Sequence, residues 1–215
     1  MRLRGDAAGA AMLLRKGMEE AIKYDYENPL RYYELIALLA DTGDEEAYKK
    51  YCRAMLTQFS NSQDIVVAER TAKACLLLPL GAAELEAASR LASFSVTQAD
   101  PSSKDLAYFE LVNGLACYRL GQHSVAIGWI DKCLAHGQVW SRQFDASREV
   151  AAYAVRAMAF AQLEQRREAQ ADLTQAGAIL KTDAPNESFP SAATLGIDWT
   201  ICNVLLREAS KLIVQ

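Results

Sequence analysis

The sequence predicts an all-α protein, an α-α superhelix of about four antiparallel helical hairpins with a leading half repeat and a C-terminal capping helix. Three observations predict it. The 215 residues include only five prolines and eleven glycines, while Ala, Leu, Glu, Arg and Gln, all good helix formers, dominate the long stretches. Apolar residues recur at helical spacing in segments of ordinary helix length, separated by short punctuation. Small residues recur at matching places in successive helix pairs, as an array of stacked repeats requires.

Residues 1–28 read as half a repeat, because "GAAMLLRKGMEEAIKYDYENP" has the pattern of a second helix ending at Pro29 with no first helix before it. Half a repeat leaves an apolar face uncovered. The expectation is that the chain is the C-terminal piece of a longer protein, or that a partner or second copy covers this helix. The first pair spans about 29–60: "NPLRYYELIALLA" stops at "DTGD", where Asp41 and Gly43 supply the turn and Asp44 can cap "EEAYKKYCRAMLTQF". The second, about 61–98, runs "SQDIVVAERTAKACLLLP" to Pro79, after which Gly81 opens "AAELEAASRLASFSV". The third, about 101–137, begins with Pro101 and serine caps and closes its first helix at Gly121, before "HSVAIGWIDKCLAHG". The fourth, about 145–181, joins "SREVAAYAVRAMAFAQLEQ" to "RREAQADLTQAGAIL" with no glycine at the turn. Residues 182–196, rich in Pro, Ser, Thr and Asn, read as a loop. The last helix, 197–213, sets Ile201, Leu205, Ala209 and Leu212 on one side.

The third and fourth pairs superimpose residue on residue. With Gly114 on Ala157, Ala126 falls on Ala169, Cys133 on Ala176 and the bulky Ile130 on Leu173. This alternation of small and large residues resembles the tetratricopeptide repeat, in which small residues let two helices approach closely and large ones fill the gaps. Two positions depart from it: Tyr48 stands near where the first repeat should have alanine, and the second repeat fits with either Ala87 or Ala88 at the close contact. A narrower resemblance covers nearly the whole chain. "YYELIALLADTGDEEAYKKYCRAMLTQF", "AERTAKACLLLP", "GLACYRLGQHSVAIGWIDKCL" and "DWTICNVLLREASKLI" are together similar to the helical-repeat region at the C-terminal ends of large bacterial serine/threonine protein kinases of planctomycete type. That resemblance implies an array preceded by a kinase domain and closed by the "DW…LLREA" helix. The kinase motifs themselves, a Gly-rich loop, H-R-D and D-F-G, do not occur in these residues, so no catalytic role carries over.

Composition excludes other classes. A net charge of -4 lacks the clustered Lys and Arg that displace counterions from a phosphate backbone, so no nucleic-acid partner is expected. No apolar run approaches the roughly 18 residues of a membrane span, and Asp6, Arg15 and Lys16 interrupt the apolar start, which points to a cytoplasmic protein. The five cysteines are spread without a C-x-x-C pair, so neither disulfides nor a zinc ribbon is indicated, and no cofactor or metal is expected. Two alternatives for chemistry are a thiol enzyme using Cys133 with His136 and Asp131, and a zinc site from Cys117, Cys133 and His136. Both lose to packing, because Cys133 occupies a small-residue position and the spacing fits no metal signature. Of the tryptophans, Trp129 and Trp199 read as packing residues, and Trp140 in the loop "GQVWSRQFD" is expected to be held against the core rather than offered to a partner.

What remains is the face made by the first helix of each pair. In tetratricopeptide arrays that face is a concave groove for an extended peptide or a helix. The matching positions are Tyr33, Glu34, Arg70, Lys73, Tyr108, Tyr118, Arg119, Met158 and Gln162, whose aromatic and basic groups suit a partner with acidic and apolar side chains; the competing reading is that the same residues pack adjacent repeats, which in a short array use the same faces. The sequence therefore predicts a non-catalytic protein-interaction module, with a purely structural spacer in a multidomain kinase as the alternative.

Overall fold

The computed structural model describes residues 9, 12–13, 15–17, 20, 28–184 and 194–213. Among them there is no strand, and nine helices are bounded: α1 (Pro29–Thr42), α2 (Glu45–Phe59), α3 (Ile65–Cys75), α4 (Ala82–Gln98), α5 (Leu106–Arg119), α6 (His123–Ala135), α7 (Arg142–Gln162), α8 (Arg166–Asp183) and α9 (Thr194–Ile213). The half repeat, 1–28, lies largely outside the described residues; of these, Met12 and Leu13 are helical and exposed.

Local chemistry sets most boundaries. The Asn28 side chain accepts the Leu30 N–H ahead of Pro29, and Gly43 ends α1 at a φ of 77°, a left-handed conformation that glycine adopts without a Cβ penalty. Asp44 caps α2 through the Ala47 N–H at 3.1 Å, and Asp64 caps α3 through Val66 and Val67. Gly121 ends the first helix of the third pair at a φ of 74°.

Several boundaries differ from the sequence reading: Asp41, expected in the first turn, lies within α1, and four further helix ends are set differently. α3 stops at Cys75 rather than at Pro79. Tyr48, fully buried where a small residue was expected, brings its hydroxyl to the carbonyls of Ala74 and Cys75 and accepts the Leu78 N–H at 3.0 Å, satisfying the backbone of the truncated end. α5 is capped by neither serine: Asp105 is its N-cap and makes no side-chain cap bond, while the Ser103 hydroxyl accepts the Asp105 N–H. α7 begins at Arg142, ahead of Ser147, because Asp145 accepts the N–H groups of Val139 and Trp140 and fixes the incoming turn. The last helix begins at Thr194, so the loop is shorter than 182–196; residues 185–193 lie outside the described part.

Each odd-numbered helix from α1 to α7 pairs with the even one that follows and also touches the next odd one. Small residues sit at the seams as the sequence implied: Ala88, Ala126, Cys133, Ala157, Ala169 and Ala176 have no exposed surface, whereas Ala87 is only partly buried. A Cβ on Gly114 would come within 2.6 Å of Ile130 Cδ1, so a larger residue in the α5–α6 seam would have to displace the end of the Ile130 side chain. Helix α9 does not simply extend the row. It packs on α7 and α8 and also on α1, and so returns across the odd-numbered helices.

Candidate functional site: the odd-helix face and its two cavities

The position of α9 decides what happens to the residues singled out in the sequence. On α1, Tyr33 is 1% exposed and its hydroxyl donates to Asp198 of α9 at 3.0 Å. On α3, the Lys73 ammonium lies 2.9 Å from Glu69 and 3.8 Å from Asp198, within 6 Å of the Tyr33 and Tyr108 rings. Burial disfavours the lysine charge, but Glu69, Tyr33 and Asp198 outweigh it, and Lys73 holds its proton well above the ordinary lysine range. Burial raises the Glu69 carboxyl and Lys73 pulls it back. On α5, Arg119 makes a bidentate pair with Glu208 of α9 and donates to the carbonyls of Leu76 and Leu77, so it holds both α9 and the segment after α3. Arg207 of α9 reaches Asp41 at the end of α1 at 2.7 Å, and the Cys202 thiol donates to the Ser147 carbonyl of α7. One helix thus touches all four odd-numbered ones.

The candidate set divides accordingly. Tyr33, Lys73 and Arg119 are engaged inside the molecule, and Met158 is wholly buried in the core; a partner cannot reach it without unpacking α7. Glu34 is half-buried, and burial lifts its carboxyl above the usual range. Arg70 and Tyr108 line a cavity of about 320 Å³ where the odd helices begin, together with Val66, Phe109, Trp140 and Phe144. Tyr118, Arg119 and Gln162 line a second cavity of about 420 Å³ where those helices end, beside Leu78, Glu208 and Leu212. Burial pushes the Tyr118 phenol up to about 12.

Three readings of the sequence can be placed as well. Cys133 has no exposed surface and burial pushes its thiol up to about 11, with Arg148 acting in the opposite direction. A nucleophilic cysteine needs the reverse. The His136 ring is turned to Glu110, 2.9 Å away. Among the described residues no three His, Cys, Asp or Glu side chains gather around a common point suited to a metal, and no helix is long and apolar enough to cross a membrane. Trp140 differs from expectation: its backbone N–H is tied to Asp145, yet the residue is 45% exposed at the cavity rim, with Lys104 against its ring.

The sequence reading missed Glu69 and Asp198. Glu69 carried a signal, an acidic residue one turn before Lys73 on a helix otherwise rich in Val and Ala. Asp198 carried none, because its partners are remote in the chain. Comparison with protein-family models, with curated proteins and with solved structures finds no match to this chain.

Proposed function

We propose that the chain is a tetratricopeptide-like superhelix that recruits a protein partner and performs no catalysis, as the cytoplasmic, C-terminal part of a larger signalling protein of the kinase-associated kind its motifs resemble. The observation that carries the reading is the docking of α9: the odd-helix face already accommodates a helix through apolar residues flanked by charge pairs, which is how a groove recognises an amphipathic helix. Because α9 occupies the middle of the face, an external partner engages the two cavities at its ends. Self-association through the leading half repeat belongs to the same proposal, supported by Met12 and Leu13 at 66% and 69% exposure.

The test is to recover polypeptides bound to the intact chain, purify the strongest and measure its affinity by calorimetry. A dissociation constant of about 1 μM or tighter is expected, weakened at least about tenfold by Val66→Trp or Gln162→Trp at the two ends of the face. A specific observation also favours the spacer reading: α9 is held on the face by the largely buried ion pairs Lys73–Asp198 and Arg119–Glu208, as a purely structural element would be. That reading gains if no polypeptide binds in a way that depends on either position.

A further inference from the structure

The cavity where the odd-numbered helices begin is walled by five rings, Tyr33, Tyr108, Phe109, Trp140 and Phe144. At about 320 Å³ it stands at the lower end of the range for ligand pockets, about 300 to 1,000 Å³, and suits a single large side chain. Its charges are arranged in two sets. Lys73, Glu69 and Asp198 hold one another and the Tyr33 hydroxyl. Arg70 and Asp105 also line the cavity, and among the described residues neither side chain makes a hydrogen bond or ion pair. Asp105 is the N-cap of α5, where a carboxylate ordinarily accepts a first-turn N–H, yet it makes no such bond.

These two groups, Arg70 acting on Glu69 only through its charge, select the guest. A cationic side chain that pairs with Asp105 would also face Arg70, and an anionic one that pairs with Arg70 would also face Asp105, so a fixed charge loses on one side what it gains on the other. An aliphatic guest would cover both and leave them unsatisfied, at the desolvation cost of buried polar groups. A phenol meets every requirement: its ring packs edge or face on the five rings, its O–H donates to Asp105, and its oxygen accepts from Arg70.

We propose that this cavity is an anchor pocket for a tyrosine side chain of the partner, the ring held among Tyr108, Phe109, Trp140 and Phe144 and the hydroxyl between Asp105 and Arg70. The inference rests on the protein-recruitment reading and names the chemistry of the partner. It also revises the acidic partner expected from the sequence, because Lys73 and Arg119 already have carboxylates of their own.

Titration of the intact, ¹⁵N-labelled chain with N-acetyl-L-tyrosinamide tests it, read at the Trp140 indole N–H and assigned by its loss in Trp140→Phe. The resonance should shift saturably with a dissociation constant on the order of 1 mM. N-acetyl-L-phenylalaninamide should bind about tenfold more weakly, and the arginine and glutamate amides more weakly still. Asp105→Ala, which removes the acceptor, should abolish most of the preference for tyrosine over phenylalanine while leaving phenylalanine binding unchanged, an effect that loss of fold would not mimic. Phe144→Ala should weaken both aromatic probes. Equal binding of a charged probe, or no movement of Trp140 up to about 10 mM tyrosinamide, overturns the proposal. Tyrosinamide binding without any face-dependent protein partner would sink the recruitment reading and leave the pocket chemistry standing. A face-dependent partner with no tyrosinamide binding would do the opposite.

Discussion

The third and fourth hairpins share one spacing but are closed by different means. In the third, α5 and α6 meet at Gly114, where Ile130 fills the space a Cβ would take. In the fourth, Ala157 stands where the third has Gly114, and a clamp joins the helices instead: Arg156 of α7 makes two hydrogen bonds to Asp172 of α8, at 2.7 and 2.8 Å, and a further ion pair to Asp131 of α6. The positions of Arg156 and Asp172 correspond to Asn113 and Trp129 in the third pair. Their turns differ in the same way. Gly121 has a φ of 74°, and its counterpart Glu164 holds a left-handed φ of 60° without being glycine. Close approach and a charge clamp are therefore interchangeable solutions to one packing problem. The first needs an absent side chain, and the second a desolvated pair with its hydrogen bonds made.

Breaking the clamp should have the largest effect. Arg156→Met leaves the Asp172 carboxylate, only 8% exposed, without its partner, and should cost about 2–3 kcal/mol in urea unfolding. Adding Asp172→Leu should recover most of it, since two apolar groups of similar size replace a buried pair at little net cost. A double variant as unstable as the single one would mean that Arg156 acts through Asp131 rather than through Asp172.

Next in size is the glycine seam. Gly114→Ala gains helix propensity but overpacks against Ile130, for a net loss of about 1 kcal/mol. Ile130→Val removes the Cδ1 atom that the new methyl would strike, so the two changes should couple favourably by at least about 0.5 kcal/mol in a double-mutant cycle. Additive effects would show that the seam relaxes elsewhere. In the fourth pair, Ala157→Gly should lose about 1 kcal/mol with no packing gain, because the clamp sets the spacing there.

The turns give a smaller and opposite pair of shifts. Gly121→Ala should lower stability by about 1 kcal/mol, and Glu164→Gly should raise it by a few tenths, because only the second substitution relieves a left-handed residue. Equal responses would mean that contacts around Glu164 outweigh its backbone strain. Smallest is Cys133→Ala, which converts the third seam to the residue found at Ala176. It should cost no more than about 1 kcal/mol and abolish no binding. Alkylation of the intact protein at pH 8 should be at least about 100-fold slower than in denaturant, because all five thiols are buried.

Much of this was legible in the residues. The turn glycines, the Asp44 cap and the small-residue seams are local signals, each depending on neighbours a few positions away, and they appear where the residue pattern placed them. The candidate site was legible only in part. Arg70 and Tyr108 do face an open cavity, but nothing local told that Lys73 is paired to Glu69 and Asp198, that Arg119 braces the end of α3, or that Met158 is sealed in the core. Tyr48 is instructive: it breaks the repeat pattern, and its hydroxyl bonds to backbone of the next hairpin replace the helical turn that α3 lacks.

Helical periodicity, capping and glycine conformation act over a few residues, so the helices, their turns and the small residues at their seams can be read directly along the chain. The return of α9 across the odd-numbered helices cannot, because it depends on long-range contacts. Its holding contacts, Tyr33 to Asp198, Arg207 to Asp41 and Arg119 to Glu208, join residues 165, 166 and 89 positions apart. Each side chain looks like an ordinary surface residue until the fold supplies its partner. At Tyr33–Asp198 and Arg119–Glu208 burial then turns a contact of little value in water into one that selects a single arrangement, because a polar group left alone there has no water to replace the partner it lost.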